Sequence, residues 1–180
     1  MNEKEFEMKV IDIPRSLQYS LPHLFALLVT EDADKRNVMA VSWFCFASMK
    51  PPKLLVCLSN KGYSGELIRK AGQFTLCVPT ESIKDKAMEA GRSSGRTADK
   101  AARLGFEWVL PEGFKIPAVA GSRVAWSLAL CDTMMAGDHT VYLADVNSAA
   151  LVSEQESLYA FNGYRELRTL QGGQEGTNEV

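Results

Sequence analysis

The sequence lacks the residue patterns of several common functional sites. Its four cysteines form no Cys-x-x-Cys pair and it has only two histidines, so no zinc site or other metal site is predicted. No G-x-G-x-x-G segment follows a strand pattern, which leaves a Rossmann-type dinucleotide site without support. The net charge of −2 gives no electrostatic support for binding nucleic acid or an anionic membrane.

Long apolar runs are missing as well. No run approaches the ~20 residues that a transmembrane helix requires. Residues 1–10 are charged and lack the apolar centre of a signal peptide. The four cysteines stand singly in apolar runs, at Cys45, Cys57, Cys77 and Cys131. This usage predicts buried, reduced thiols and a cytoplasmic protein.

The sequence does contain enough apolar residues for one packed domain. It has 180 residues, of which 46% are hydrophobic and 23% are charged, an ordinary globular balance. Strand patterns cover residues 22–30, 36–46, 54–58, 74–78, 123–136 and 139–152, and short helices are predicted over 64–71, 82–90 and 97–104. Dominant strands with hairpin-like connections predict a mainly β fold with short helices, a Greek-key barrel. We expect one domain over residues 1–165 and a polar tail over residues 166–180.

The segment from Arg36 to Ser64 is the most informative part of the chain. Its first strand, through Phe46, carries apolar side chains on both faces, which is typical of a strand in a closed or doubly covered sheet. Two prolines, Pro51 and Pro52, then interrupt strand pairing because neither can donate a backbone hydrogen bond.

The loop after the next strand is a candidate anion site. Ser59, Asn60, Lys61, Gly62, Tyr63 and Ser64 collect three hydroxyls, an amide and an ammonium group just before a helix. Such donors at a helix start suit a phosphate group. In the alternative interpretation, Ser64 only caps the helix and the other residues form a solvated turn.

Several motifs, taken in order, resemble the flavin reductase-like family. They are RNVMAVSW, the PP pair, SNKGYS leading into ELIRKAG, SGRTADK and GDHTVYLADV, spread over residues 12–152. The resemblance implies an FMN-binding split β-barrel. The family includes NAD(P)H:flavin oxidoreductases and flavoredoxins, and its members are homodimers with FMN near the subunit interface.

The resemblance also implies roles for particular residues. The FMN phosphate would be bound by Ser59, Asn60, Lys61, Tyr63 and Ser64, with Gly62 allowing close backbone approach. The isoalloxazine ring would lie against one edge of the strand formed by Asn37, Val38, Met39, Ala40, Val41, Ser42 and Trp43. Ala47 and Ser48 are weaker candidates for flavin contacts. In the alternative interpretation, these strand residues are barrel core only.

His139 and the loop at Arg92 are further candidates. The resemblance places His139 near the flavin or the nicotinamide, where its imidazole would suit proton donation; the alternative is a structural turn residue. His23 is assigned a structural role. The loop of Arg92, Ser93, Ser94 and Arg96 would contact the FMN phosphate or the pyrophosphate of NAD(P)H, or else be a solvated loop.

The implied function is an NAD(P)H-dependent flavin reductase that passes a hydride from nicotinamide to flavin N5. A flavoredoxin-type electron carrier, which passes electrons from FMN to an acceptor protein, is the alternative in a different class. A cofactor-free binding barrel is the third hypothesis. The choice between NADH and NADPH, and the identity of the electron acceptor, stay open at this point.

Overall fold

The computed structural model describes residues 8–33 and 35–170. The strands are β1 (His23–Leu24), β2 (Ala26–Asp32), β3 (Lys35–Val41), β4 (Phe44–Met49), β5 (Pro52–Ser59), β6 (Gln73–Pro79), β7 (Trp108–Val109), β8 (Ala118–Val119), β9 (Ser122–Ala136), β10 (His139–Leu151), β11 (Tyr159–Phe161) and β12 (Glu166–Arg168). The helices are α1 (Ile13–Tyr19), α2 (Tyr63–Ala71), α3 (Lys84–Ala90) and α4 (Lys100–Arg103), with a 3-10 turn over Glu81–Ile83. The predicted mainly β fold with short helices is confirmed.

Seven antiparallel strands form one sheet in the order β3-β2-β6-β9-β10-β5-β4. Its edge strands, β3 and β4, are separated in the chain only by Ser42 and Trp43, so the two edges must meet. At this junction the Cys57 amide donates a hydrogen bond of 2.8 Å to the Trp43 carbonyl. The sheet therefore closes into a barrel. Two smaller sheets, β1-β11-β12 and β7-β8, lie outside it.

The barrel wall is covered on both sides along β2. Ala26 and Leu28 belong to the core inside the barrel, whereas Leu27 and Val29 belong to a second core outside it. This division follows from the two-residue repeat of a strand. The outer core is covered by residues of α3, α4 and the small sheets, which explains why β2 is apolar at consecutive positions.

The predicted strand over residues 36–46 is in fact two strands, β3 and β4. The prediction that both faces would be covered is wrong for β4, where Cys45, Phe46 and Ala47 are exposed. The apolar pattern does not reveal the bend at the barrel closure, after which three consecutive residues of the wall are exposed.

Three helix predictions also need correction. Helix α2 begins at Tyr63 with Gly62 as its N-cap, so Ser64 does not cap it and is instead a buried residue of the first turn. The helix predicted over residues 97–104 is only the four-residue α4, whose N-cap Asp99 accepts a bond of 3.0 Å from the Ala102 amide. The 3-10 turn replaces the predicted first turn at Ser82, and α3 starts at Lys84.

The predictions for the cysteines and for the end of the chain also differ from the structure. All four cysteines are free thiols, but Cys45 and Cys131 are exposed rather than buried. The predicted tail starts at residue 166, whereas Glu166–Arg168 form β12 and pair with β11; residues 171–180 of that tail lie outside the described residues. No helix in the described part of the chain is long and apolar enough to cross a membrane.

Candidate functional site

A cavity of about 340 Å³ lies where the start of α2 faces β3 and the segment after α3. We call it the anion cavity. Its lining residues are Asn37, Met39, Ala40, Ser59, Lys61, Gly62, Tyr63, Ser64, Ala90, Gly91, Arg92, Ser93, Ser94, Gly95 and Lys100. They include three cationic side chains and no carboxylate. The predicted loop and the predicted arginine loop therefore face each other across one cavity.

The first turn of α2 is built by a tight loop. The Gly62 amide donates to the Ser59 carbonyl at 2.8 Å, and a Cβ at Gly62 would press on that carbonyl at 3.0 Å. No side chain caps α2, so its first amides have no helix partner, and Gly62, Tyr63 and Ser64 at this end line the cavity. Lys61 is exposed at this edge, and its charge contributes to the lowered pKa of the Asp138 carboxyl. The described residues form no hydrogen bond or ion pair with its ammonium group. These groups are free to meet an anion.

Asn37 connects β3 to the helix start. Its side-chain nitrogen donates to Ser64 Oγ at 2.8 Å and, more weakly, to Thr30 Oγ1 at 3.3 Å. Asn37 is 2% exposed, yet its Oδ1 has no partner within the described structure. A buried acceptor without a donor is rare in proteins, and this one lines the anion cavity.

The segment of residues 91–96, here called the strap, closes the outer side of the anion cavity. Lysines hold its backbone: Lys35 Nζ donates to the Gly95 carbonyl at 2.9 Å, and Lys100 Nζ donates to the carbonyls of Ala90 and Ser93 at 2.7 and 2.6 Å. Arg96 makes two bonds to the Glu66 carboxylate, at 2.8 and 2.5 Å. The Arg96 guanidinium holds the pKa of Glu66 below its usual range.

A second cavity of about 510 Å³ adjoins the first. Its lining residues are Phe25, Ala40, Val41, Ser42, Met88, Gly91, Arg92, Tyr164 and Arg165. It shares Ala40, Gly91 and Arg92 with the anion cavity, so the two form one continuous cleft along β3. The Ser42 Oγ is buried without a described partner, as Asn37 Oδ1 is. About 17 Å of extended strand separates these two residues.

Four side chains at the barrel closure form a chain of contacts beside the cleft. The rings of Trp43 and His139 lie 4.9 Å apart at 35°, and Trp43 Nε1 donates to the Tyr164 hydroxyl at 3.0 Å. His139 Nδ1 lies 2.7 Å from an Asp138 carboxylate oxygen. The hydrogen bond from His139 lowers the pKa of Asp138.

Several predicted residues do not face the cleft. Both polar groups of the Asn60 side chain are occupied, since its nitrogen donates to the Gly137 carbonyl and its oxygen accepts from Thr140 Oγ1 at 2.7 Å. Val38 is fully buried in the outer core. Ala47 and Ser48, on β4, line neither of the two cavities. The remaining predicted residues line the cleft, except Trp43 and His139, which border it. Trp43 is hydrogen-bonded to Tyr164, and His139 pairs with Ser59.

Comparison with known proteins decides the family. A family model described as "Flavin reductase like domain" matches residues 18–168. The chain belongs to the flavin reductase like family.

Individual relatives of this flavin reductase-like protein agree with the family match. An FMN reductase (NADH) of Methylorubrum extorquens is 30% identical over 143 residues, covering 78% of this chain and 80% of the relative. Among solved structures, an NADH:FAD oxidoreductase of Streptomyces globisporus matches with a TM-score of 0.78 at 20% identity, over 92% and 99% of the two chains. A flavoredoxin of Desulfovibrio vulgaris matches with a TM-score of 0.76 at 22% identity, over 98% and 97%. These likenesses confirm the predicted split-barrel fold.

Three polar or charged residues that line the cleft had no predicted role in the sequence analysis. Tyr164 and Arg165 come from the turn between β11 and β12, beyond the last recognised motif, and Lys100 lies in the SGRTADK motif without a role assigned to it. The Asn162-Gly163 pair was the sequence signal for this turn, because Asn-Gly marks a tight turn. In the structure Asn162, Gly163 and Tyr164 all have left-handed backbone conformations.

Residues 91–95 also match G-x-S-x-G, the spacing of a hydrolase nucleophile elbow, which the sequence argument overlooked. The structure does not support that chemistry. The segment follows helix α3 rather than a strand, and Ser93 Oγ accepts a hydrogen bond from Arg103 at 3.2 Å instead of facing a histidine.

Because of Lys100, the unfolding free energy of this protein should rise with pH in the alkaline range. Burial lowers the pKa of Lys100 from 10.5 to about 8, so between these values the unfolded chain binds more protons and folding becomes more favourable as pH rises. Compared with Lys100→Met, the wild-type chain should gain about 2 kcal/mol of unfolding free energy between pH 7 and pH 10. Urea denaturation of both proteins at the two pH values measures this, and a constant difference would contradict it.

Proposed function

We propose that this protein is an FMN-binding, NAD(P)H-dependent flavin reductase. The observation that carries the proposal is the cleft along β3. It is lined by cations without a carboxylate, and it contains two buried polar atoms without described partners, Asn37 Oδ1 and Ser42 Oγ. A ligand that has a phosphate at one end and a polar ring at the other would satisfy both ends.

The anion cavity fits the phosphate of FMN. A phosphate dianion needs a cation and several N–H or O–H donors. Lys61 supplies the charge, the α2 N-terminus supplies amides, and the hydroxyls of Ser59, Tyr63 and Ser64 line the same wall. Arg92 faces this group from the strap. Asn60 would act indirectly, by holding the loop against the β9–β10 hairpin.

The wall of β3 fits a flat ring. Ala40 and Ser42 carry small side chains there, so a planar group can approach the strand backbone, and Val41 adds apolar surface. A bound flavin would supply the redox chemistry by accepting a hydride from the nicotinamide at N5. The residues of the cleft would orient it and exclude water.

His139 is proposed to hold or move a proton beside the ring. Its Nδ1 is bonded to the Asp138 carboxylate, so Nε2 is the ring nitrogen left for a ligand. Trp43 packs against the same imidazole and limits its rotation. This arrangement is typical of a histidine whose orientation is set by a carboxylate.

A homodimer is part of the proposal because one outer face of the barrel is apolar. Cys57 on β5, Val141 on β10 and Met134 on β9 are adjacent in the strand register, and all three point away from the barrel core. Met134 is 63% exposed, and Cys45 on β4, which pairs with Leu55, is exposed on the same face. A second copy that covers this face would remove their apolar surface from water.

We expect Met134→Asp to convert a dimer to a monomer, since a buried carboxylate without a partner opposes association. Leu110→Asp is the matched control, because Leu110 has the same 63% exposure and is not on the barrel face. Analytical ultracentrifugation reads out the mass. A wild-type protein that is monomeric at micromolar concentration would contradict the proposed dimer.

The function is tested first by the visible spectrum of the purified, untreated protein. Flavin absorption at about 370 and 450 nm, with FMN released on denaturation, is the expected result. A colourless protein that also fails to bind added FMN would leave the cofactor-free barrel.

Rapid mixing with NADH or NADPH then separates a reductase from a carrier. Fast bleaching of the 450 nm band is expected for the reductase. Retained FMN that neither nucleotide bleaches would instead support a flavoredoxin-type carrier serving an acceptor protein.

A further inference from the structure

Lys100 is a buried cation in the wall of the anion cavity. It is 3% exposed, it lines the cavity, and it forms no ion pair with a carboxylate of the described chain. Arg96, in the neighbouring strap, differs on this point, since it is paired with the Glu66 carboxylate. Burying a charge without an opposite charge is costly, so an anion that enters the cavity would stabilise Lys100 at this position.

The Lys100 ammonium group has one more donor than the protein uses. Its Nζ donates to the Ala90 carbonyl at 2.7 Å and to the Ser93 carbonyl at 2.6 Å. A charged ammonium group has three N–H donors, whereas a neutral amine has two. The described residues provide no third acceptor. The third donor of Lys100 therefore exists only while the side chain is protonated, and it is left for a ligand.

The charge of Lys100 can change in a mildly alkaline solution. Burial, and after it the nearby charge of Arg103, lowers the pKa of Lys100 from 10.5 to about 8. Loss of the proton would leave two N–H donors for the two carbonyls, so the strap would stay in place. It would remove the charge and the third donor. A phosphate dianion in the cavity has the opposite effect, because an opposite charge favours the protonated amine.

Other charged groups lie on the elements that pack around Lys100. On α4 the Asp99 carboxylate accepts a bond from a backbone amide of the helix. On α3 the Glu89 carboxylate lies 3.6 Å from Arg92 and 3.7 Å from Arg103. Carboxylates and guanidinium groups keep their charge between about pH 7 and pH 9. The groups on the other neighbouring elements are Lys35 and Arg36 on β3, Arg96 on the strap, and Lys61 and Tyr63 at the start of α2.

We propose that Lys100 donates its third N–H to the phosphate group bound in the anion cavity and thereby links phosphate binding to proton uptake. When a phosphate ligand meets the neutral amine, one proton passes from the buffer to Nζ and the amine becomes an ammonium group. Binding then takes up protons at alkaline pH, and by reciprocity the affinity falls as the pH rises. This inference rests on the proposed function, in which FMN supplies the phosphate.

Proton uptake is measured by calorimetry of FMN binding in two phosphate-free buffers that differ in ionisation enthalpy. The wild-type protein should take up about half a proton per FMN at about pH 8.5. In fluorescence titrations its affinity for FMN should fall about fivefold between about pH 7 and pH 9. Riboflavin has the same ring without the phosphate, so its affinity should change by less than about twofold over this range, with no proton uptake.

Three lysine variants locate the titrating group. Lys100→Met should bind FMN equally at the two pH values, with the affinity that the wild-type protein has at the higher pH and with no proton uptake. Lys61→Met should weaken FMN binding at both pH values and keep the proton uptake. Lys86→Met is the matched control, because Lys86 also donates to a backbone carbonyl, that of Gly105 at 2.6 Å, but lies outside the cleft; it should match the wild-type protein.

Other outcomes would overturn the inference. If the wild-type protein takes up no proton and binds FMN equally at both pH values, Lys100 only holds the strap. Proton uptake that survives in Lys100→Met belongs to another group. An equal pH dependence for riboflavin would assign the linkage to the flavin ring instead of the phosphate.

The proposed function can fail separately from this inference. FMN that binds with the expected proton uptake, but that neither NADH nor NADPH reduces, would refute the reductase and keep the role of Lys100. If the protein binds no FMN, sulfate is the probe, because it is a dianion at both pH values. Sulfate should then raise the Tm of the wild-type protein above that of Lys100→Met more at the lower pH than at the higher one. Equal effects of sulfate on the two proteins, or at the two pH values, would overturn the inference.

Discussion

Replacing Lys61 and Ser64 together by alanine is expected to weaken FMN binding by at least about a hundredfold, because each charge-assisted bond to a phosphate contributes about 1.5–3 kcal/mol. Lys61 lines the anion cavity from its exposed edge, and Ser64 is 3% exposed at the start of α2. Fluorescence titration with FMN measures the effect.

The two single variants distinguish the contributions of charge and structure. Ser64 Oγ also accepts the 2.8 Å bond from Asn37, so Ser64→Ala leaves a buried donor to re-pair and should lower stability as well as affinity. Lys61→Ala should lower affinity with little change in the urea midpoint. Unchanged FMN affinity in the double variant would refute the phosphate assignment.

A matched control replaces the same residue types outside the cleft. Ser82 and Lys84 lie near the start of α3, where Lys84 pairs with Glu81 at 2.9 Å. Lys84→Ala combined with Ser82→Ala should leave FMN affinity within twofold of wild type. The comparison separates a local effect on the anion cavity from a general effect of lost charge.

Substituting Gly95 by alanine should both destabilise the protein and weaken FMN binding. A Cβ at Gly95 would overlap Asn37 Oδ1, well inside the 3.0 Å that real Cβ atoms keep. Either Asn37 leaves its bonds to Ser64 and Thr30, or the strap moves and breaks the Lys35 bond to the Gly95 carbonyl. We expect a loss of about 1–3 kcal/mol in unfolding free energy and FMN affinity lower by at least about tenfold.

A double-mutant cycle tests whether the Asn37 contact is the cause. In an Asn37→Ala background the carboxamide is gone, so Gly95→Ala should cost much less unfolding free energy than it does in the wild-type chain. Urea denaturation of the four proteins gives the coupling. Equal costs in both backgrounds would show that the strap at Gly95 is not held against Asn37.

Local patterns in the sequence predicted the existence of most elements. Apolar strand patterns, unbroken over residues 54–58, predicted β2, β5, β6, β9 and β10, and Gly137-Asp138 predicted the β9–β10 hairpin, where Gly137 has φ 63°. The same rules failed where a strand bends without a break in its pattern, at Ser42 and Trp43. A two-residue repeat indicates which face of the sheet a side chain occupies, but it does not indicate where the sheet bends and closes into a barrel.

The candidate site was predicted in parts that the sequence could not assemble. The SNKGYS loop and the loop at Arg92 were each recognised from their residue types, although more than 25 positions separate Lys61 from Arg92. Their meeting across the anion cavity depends on long-range pairing of the strands. Asn60 shows the opposite case: its residue type suited phosphate binding, but the fold uses its side chain to hold the hairpin.

The sequence by itself determined the mainly β composition, the helix after SNKGYS and the family, because these depend on short-range patterns and on the order of motifs. Only the tertiary structure decided that β3 and β4 close a barrel, that Asn37 Oδ1 is left unpaired beside the strap, and that Arg165 joins the cleft. The physical reason is that burial, unpaired polar atoms and the summed charge of a cavity are properties of residues distant in the chain. They exist only after the strands have paired.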